Sequence, residues 1–135
     1  MKESNFQLVG KPKINSLSYE TNKEFSFVGE LPLTFNNDVN ITRGIDENSH
    51  EAIVVLDLGI FSTQEFEKVP FQINMKIEGH FKWADDLASN EELLGIMLKQ
   101  NAPAVLYGYL RPLITLITVE ASMPPLIIPL MNFKD

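Results

Sequence analysis

The chain contains no cysteine, so neither a disulfide framework nor a thiolate metal site is open to it. Its two histidines, His50 and His80, have no His or Cys neighbour at ligand spacing, which argues against a metal centre. Basic residues are few: 11 Lys and Arg stand against 18 Asp and Glu, a formal net charge of -7. Phosphate backbones and anionic membrane surfaces both need a basic face, so the charge argues against nucleic acid as a partner and disfavours an anionic membrane surface. There is no G-x-S-x-G nucleophile turn and no phosphate-cradling glycine loop. The carboxylate pairs Asp85-Asp86 and Glu91-Glu92 sit at a loop and a helix start, where the helix dipole explains Glu91 and Glu92 without catalysis. Neither an enzyme nor a cofactor is expected. The N-terminus lacks the continuous apolar run of a signal peptide, which points to a cytoplasmic protein. No repeat, low-complexity tract or linker divides the chain, so residues 1–135 are read as one domain.

What the chain has in excess is apolar surface. From Ala104 to Val119 the residues are apolar almost all round, with Arg111 the only charge, and Pro103 suits the first turn of a helix. A helix greasy on every side must be covered on every side, and 135 residues do not easily enclose one, so self-association is expected. A membrane span would be interrupted by Arg111, Pro112, Glu120 and three prolines at 124, 125 and 129. Pro112 predicts a kink, while the β-branched run Ile114 to Val119 leaves a strand as the local rival to helix. Met123 to Phe133, with its prolines, should be extended and irregular.

Upstream, Val69 to Trp83 alternates strictly. Val69, Phe71, Ile73, Met75, Ile77, Phe81 and Trp83 share one face with Gly79, and polar residues fill the other, as in an antiparallel strand with one dry face. Glu51 to Thr63 reads as a second strand, and Phe6 to Tyr19 as a long strand, interrupted at Lys11-Pro12, at a sheet edge. Asn36 to His50, rich in Asn, Asp and Ser, reads as loop. Ser89 and Glu92 have the spacing of a capping box, which predicts a short helix to about Gln100 with Leu93, Ile96 and Met97 on one face. Strands followed by helices make an α+β domain. Phe25, Phe27, Leu31, Leu33 and Phe35 alternate through a proline-bearing segment, either packed on the sheet or lining an exposed groove for another polypeptide.

The C-terminal half resembles the SecB family of protein-export chaperones. The resemblance rests on Pro103, Val105-Leu106-Tyr107, Tyr109-Leu110-Arg111 and Ile114, then on Met123-Pro124, Leu126 to Ile128, Pro129 and Asn132-Phe133. Phe71 to Phe81, with a glycine before its final aromatic, and Phe6-Gln7-Leu8 extend it. It implies a four-stranded antiparallel sheet whose first two strands are joined by a crossover loop, followed by a short helix and a long kinked helix packed between subunits. It decides Ile114 to Val119 in favour of helix. It also implies a dimer or dimer of dimers that binds unfolded or nascent polypeptides in hydrophobic grooves without nucleotide. Carried over, the groove candidates are Phe25, Phe27, Leu31, Leu33, Phe35, Leu106, Tyr107 and Leu110, and Leu113, Leu116 and Ile117 form the intersubunit layer. Departures from the family pattern are a sequence that stops at Asp135, where a second C-terminal helix and a basic, cysteine-containing tail would follow. Gln72 and Asn74 also replace an apolar and an acidic docking residue, so handover to the export motor ATPase is not expected. Readings beside a general holdase are a chaperone dedicated to one partner of toxin-antitoxin type, a carrier of small apolar ligands, and a structural oligomer that fills its own grooves.

Overall fold

The computed structural model describes residues 5–26, 31–44, 46 and 49–133. Its central element is β5 (Phe71–Trp83), whose odd-numbered residues are all buried while Asn74, Lys76 and Lys82 on the other face are exposed. β4 (Glu51–Ile60) lies antiparallel beside it, with Ala52, Leu56 and Ile60 opposite Phe81, Ile77 and Ile73 on the same dry face. β1 (Phe6–Leu8) and β2 (Lys13–Thr21) both pair with the far side of β5. They are one edge strand in two pieces, as the Lys11-Pro12 interruption suggests. Gly10 takes the left-handed conformation (φ 70°) in the gap, and Val9 still donates its N–H to the His80 carbonyl at 2.7 Å. The sheet thus has five strands in a four-strand layout, β1/β2-β5-β4-β3.

The eight residues after Phe35, expected in a loop, form β3 (Phe35–Arg43) against β4. Phe35, Val39 and Ile41 sit opposite Ile60, Leu56 and Val54 on the dry face. An edge strand with one wet face tolerates Asn and Asp, so turn-like composition concealed a strand. Because β2 and β3 lie on opposite sides of the β5/β4 pair, the segment between them must cross the sheet. This is the crossover that the resemblance implied.

The helical half also departs from expectation in two places. Asn90, not Ser89, caps α2 (Glu91–Ile96) by accepting the Leu93 N–H at 3.1 Å, while the Ser89 hydroxyl donates to the Asp86 carbonyl. The buried face is Leu94 and Leu98, and Leu93 and Ile96 are exposed. α2 follows the single turn α1 (Asp85–Ala88) and runs through a widened π turn, Met97–Asn101, straight into α3 (Ala102–Glu120). Leu94, Leu98, Ala102, Leu106, Leu110, Ile114 and Thr118, each four residues after the last, are all buried. In a pure α-helix a four-residue repeat drifts by about 40° per step. The wider turn takes up part of that drift and keeps the row on the sheet. α3 continues unbroken through Pro112, and Ile114 to Val119 are helical.

α3 seats on β4 and β5. Gly79 marks the closest approach, since a Cβ there would lie 2.8 Å from the Leu106 Cδ2 atom. β2 is left uncovered: Ile14 and Leu17, on the side of the sheet that carries the helix, are 40% and 51% exposed.

Candidate functional site

α3 carries three longitudinal stripes with different fates. The first, Leu106, Leu110 and Ile114, is fully buried on the sheet. The second, Tyr107, Arg111, Thr115 and Thr118, lies beside it at helical spacing and holds the tail of the chain. The third, Val105, Tyr109, Leu113 and Leu116, is between 36% and 54% exposed. The helix that reads as apolar all round is therefore covered on two stripes and open on one.

The second stripe works through hydrogen bonds to backbone. α3 ends where Met123 and Ser122 donate their N–H groups to the carbonyls of Thr118 (2.9 Å) and Val119 (3.0 Å), with Ser122 left-handed at φ 59°. This closure turns the chain back along the helix. Leu126 donates its N–H to the Thr118 hydroxyl oxygen at 2.9 Å and accepts from the Thr115 hydroxyl at 2.7 Å. Arg111 donates Nε–H to the Ile128 carbonyl at 3.1 Å, and the Tyr107 hydroxyl donates to the Pro129 carbonyl. Ile128 is buried, whereas its neighbour Ile127 is 75% exposed, the alternation of an extended segment. Phe133 closes the run edge-on to Tyr107, ring centres 5.9 Å apart. Burial raises the Tyr107 pKa above its ordinary 10.0, against the opposing charge of Arg111. The hydroxyl is thus held in its donating, neutral form.

Both ends of the crossover are fastened to the β4–β5 connection, residues 61–70. At the start, the Asn22 side-chain amide donates to the carbonyls of Phe66 and Val69, each at 3.1 Å, and its backbone N–H donates to the Pro70 carbonyl. At the end, Thr34 donates its hydroxyl to Gln64 at 2.6 Å and its carbonyl accepts the Phe61 N–H. Phe61 has φ 57°, a strained backbone for an aromatic residue, and the Gln72 side chain donates to the carbonyls of Phe61 and Gln64. Gln72 therefore braces this corner of the sheet.

Of the groove candidates, Leu31 is exposed at 38%, Phe25, Leu33 and Phe35 are half-buried, and Phe27 lies outside the described residues. Leu106 and Leu110 face the sheet fully buried, and Tyr107 lies under the tail. Of the intersubunit candidates, Leu113 and Leu116 are exposed and Ile117 packs against the core. Sequence reasoning missed the polar stripe of α3. Its signal was present in Arg111, Thr115 and Thr118, polar residues at helical spacing in an apolar run. Among the described residues no group of three His, Asp or Glu side chains could hold a metal. His80 and His50 pair instead with Glu51 (3.4 Å) and Asp85 (3.2 Å). By length and composition the continuous helix Glu91–Glu120 is apolar enough to cross a membrane, but here one stripe packs on the sheet.

These features define an α+β protein whose notable surface is open and apolar, carried on one helix and a sheet edge. The family model for the preprotein translocase subunit SecB matches residues 6–135. A protein-export protein SecB of Anaplasma phagocytophilum is 28% identical over 132 residues, which cover 90% of this chain and 84% of that protein. SecB of Rickettsia felis is 32% identical over 97 residues, and an uncharacterized protein of Methanocaldococcus jannaschii 28% over 98. This chain spans 59% and 61% of the length of those two. A solved Mycobacterium tuberculosis SecB-like chaperone, in complex with a ChAD peptide from the HigA1 antitoxin, shares the fold. Its TM-score is 0.67 at 10% identity, over 95% of this chain and 88% of that one. The chain belongs to the SecB family.

Proposed function

We propose that this protein is a nucleotide-independent holdase that binds non-native polypeptide segments on its apolar surface. The observation that carries the reading is the exposure of large apolar side chains on the sheet edge, in the crossover and at the start of the helix, Leu17, Leu31 and Val105 among them. Apolar burial contributes about 25 cal/mol per Å², so a few such side chains hold an unfolded segment with weak specificity and no chemistry. Family membership supports it. The working form is a cytoplasmic dimer or dimer of dimers, in which Leu113 and Leu116 cover one another across subunits. A monomer at micromolar concentration on a sizing column contradicts that assembly. Phe25, Phe27, Leu31, Leu33 and Phe35 line the groove in this reading. Phe25→Ser and Leu31→Ser should then weaken capture of an unfolded chain and leave the melting curve unchanged. Unfolding of either variant contradicts the groove assignment.

A narrower reading, a chaperone for a single partner, draws support from the M. tuberculosis structure, whose bound peptide comes from an antitoxin. It uses the same surface and differs in client range. A panel of unrelated unfolded chains separates the two, since only a dedicated chaperone ignores most of them.

A further inference from the structure

The tail lies on α3 as an extended peptide would lie in a binding site. The polar contacts from the second stripe to the tail reach backbone atoms: the N–H and carbonyl of Leu126, and the carbonyls of Ile128 and Pro129. Nothing in this ladder reads the identity of the tail's side chains. Ile128 is the tail's fully buried apolar anchor, Leu126, Met131 and Phe133 pack half-buried against the core, and Ile127 and Leu130 stand 75% and 82% exposed. The helix thus offers donors and an acceptor to any extended segment with an apolar residue at the anchor position. Removing the tail takes the Ile128 carbonyl from the Arg111 guanidinium and the Leu126 N–H from the Thr118 hydroxyl oxygen, whose proton stays on the carbonyls of its own helix, in a stripe that flanks the buried core.

We infer that residues 124–131 are an internal ligand, and that an extended apolar segment of a bound polypeptide displaces them and takes over the backbone ladder of Tyr107, Arg111, Thr115 and Thr118. This rests on the holdase reading and adds where and how a segment is gripped. The tail competes intramolecularly, at an effective concentration in the millimolar range for a short connection, so it sets a threshold that weak segments do not pass. The apparent affinity for a client is the intrinsic affinity reduced by the fraction of molecules with the tail off.

The sign of one mutation separates a competitor from a wall. Ile128→Ser loosens the tail and leaves the ladder on α3 intact. If the tail competes, the variant binds a reduced, permanently unfolded protein about tenfold more tightly than the parent. If the tail is a fixed wall of the groove, the variant binds equally or more weakly, and the inference is overturned. Leu126→Ala, at a half-buried position, repeats the test should Ile128→Ser fail to melt cooperatively. A second arm adds a fluorescent peptide with the sequence of Met123 to Phe133 to the Ile128→Ser protein. Saturable binding, weakened by Thr115→Val on the same background and displaced by the unfolded client, supports the shared site. Peptide binding with no binding of any unfolded protein sinks the holdase reading and supports the ladder as a peptide site. Client binding that the peptide does not displace sinks the inference and leaves the holdase reading standing.

Discussion

Gly79→Ala tests the seating of the helix on the sheet, and with it the placement of all three stripes. A Cβ at position 79 would lie 2.8 Å from Leu106 Cδ2, 2.9 Å from Phe81 Cε2 and 3.1 Å from Leu8 Cδ1. The first two distances are shorter than carbon atoms tolerate. Leu106 is 0% and Phe81 1% exposed, so neither has free space to rotate into. Inserting a methyl group into a packed core of this kind costs about 1–3 kcal/mol. Leu106→Ala alone removes most of a buried side chain and costs about 2–5 kcal/mol. In the double variant the new methyl occupies part of the space the leucine vacates. The cost of the double variant should therefore fall short of the sum of the two single costs by at least about 1 kcal/mol, the coupling expected of residues in contact. The assay is urea unfolding at one fixed protein concentration, since assembly would otherwise move the midpoints. Additive costs, within about 0.5 kcal/mol, would mean that α3 does not rest on Gly79.

Three further outcomes follow from particular contacts. Tyr107 has its pKa raised by burial, so its contribution to stability is complete below its ordinary value of 10.0 and is lost as pH rises through the folded value. Unfolding midpoints measured from about pH 8 to about pH 11 should fall for the parent and fall less for Tyr107→Phe, which has no proton to lose. On the acid side, the Asn15 hydrogen bond, and after it Lys13, hold the Glu78 carboxyl below its ordinary 4.5 against a desolvation that pushes it up. That stability is present above pH 4.5 and is lost as pH falls through the folded value, and Asn15→Ala should reduce the loss in an acid titration of the melting temperature. Ser122 is left-handed at φ 59°, which costs a non-glycine residue roughly 1–2 kcal/mol. Ser122→Gly should raise stability by about 0.5–1 kcal/mol after glycine's own entropy cost, and a lower melting temperature would contradict the helix-end geometry.

Much of the fold was legible because its signals are long. The alternation of Val69 to Trp83 gave β5 and its dry face, and the apolar run after Pro103 gave α3. β3 was hidden because an edge strand needs apolar residues on one face only, and Asn36, Asn37 and Asp38 look like a turn. The phase of α2 was misread because Ser89 and Asn90 are both good caps, and only the packing of Leu94 and Leu98 decides between them. The larger surprise concerns α3. A helix apolar all round suggested burial by partners, but the chain covers part of it with its own tail. The polar residues that hold the tail were visible in the sequence, yet their partners are backbone atoms, which no side-chain pattern announces. Of the groove candidates, position in sequence could not separate Leu31, exposed, from Leu106 and Leu110, which the sheet covers.

The central claim is that this surface holds non-native polypeptide without chemistry. The most direct test mixes the purified protein with a permanently unfolded, reduced polypeptide and measures the mass of the eluting species by light scattering, with no nucleotide present. The account predicts a soluble complex whose mass is that of the protein's own assembly plus the client. A protein that elutes at its own mass while the client aggregates would contradict it.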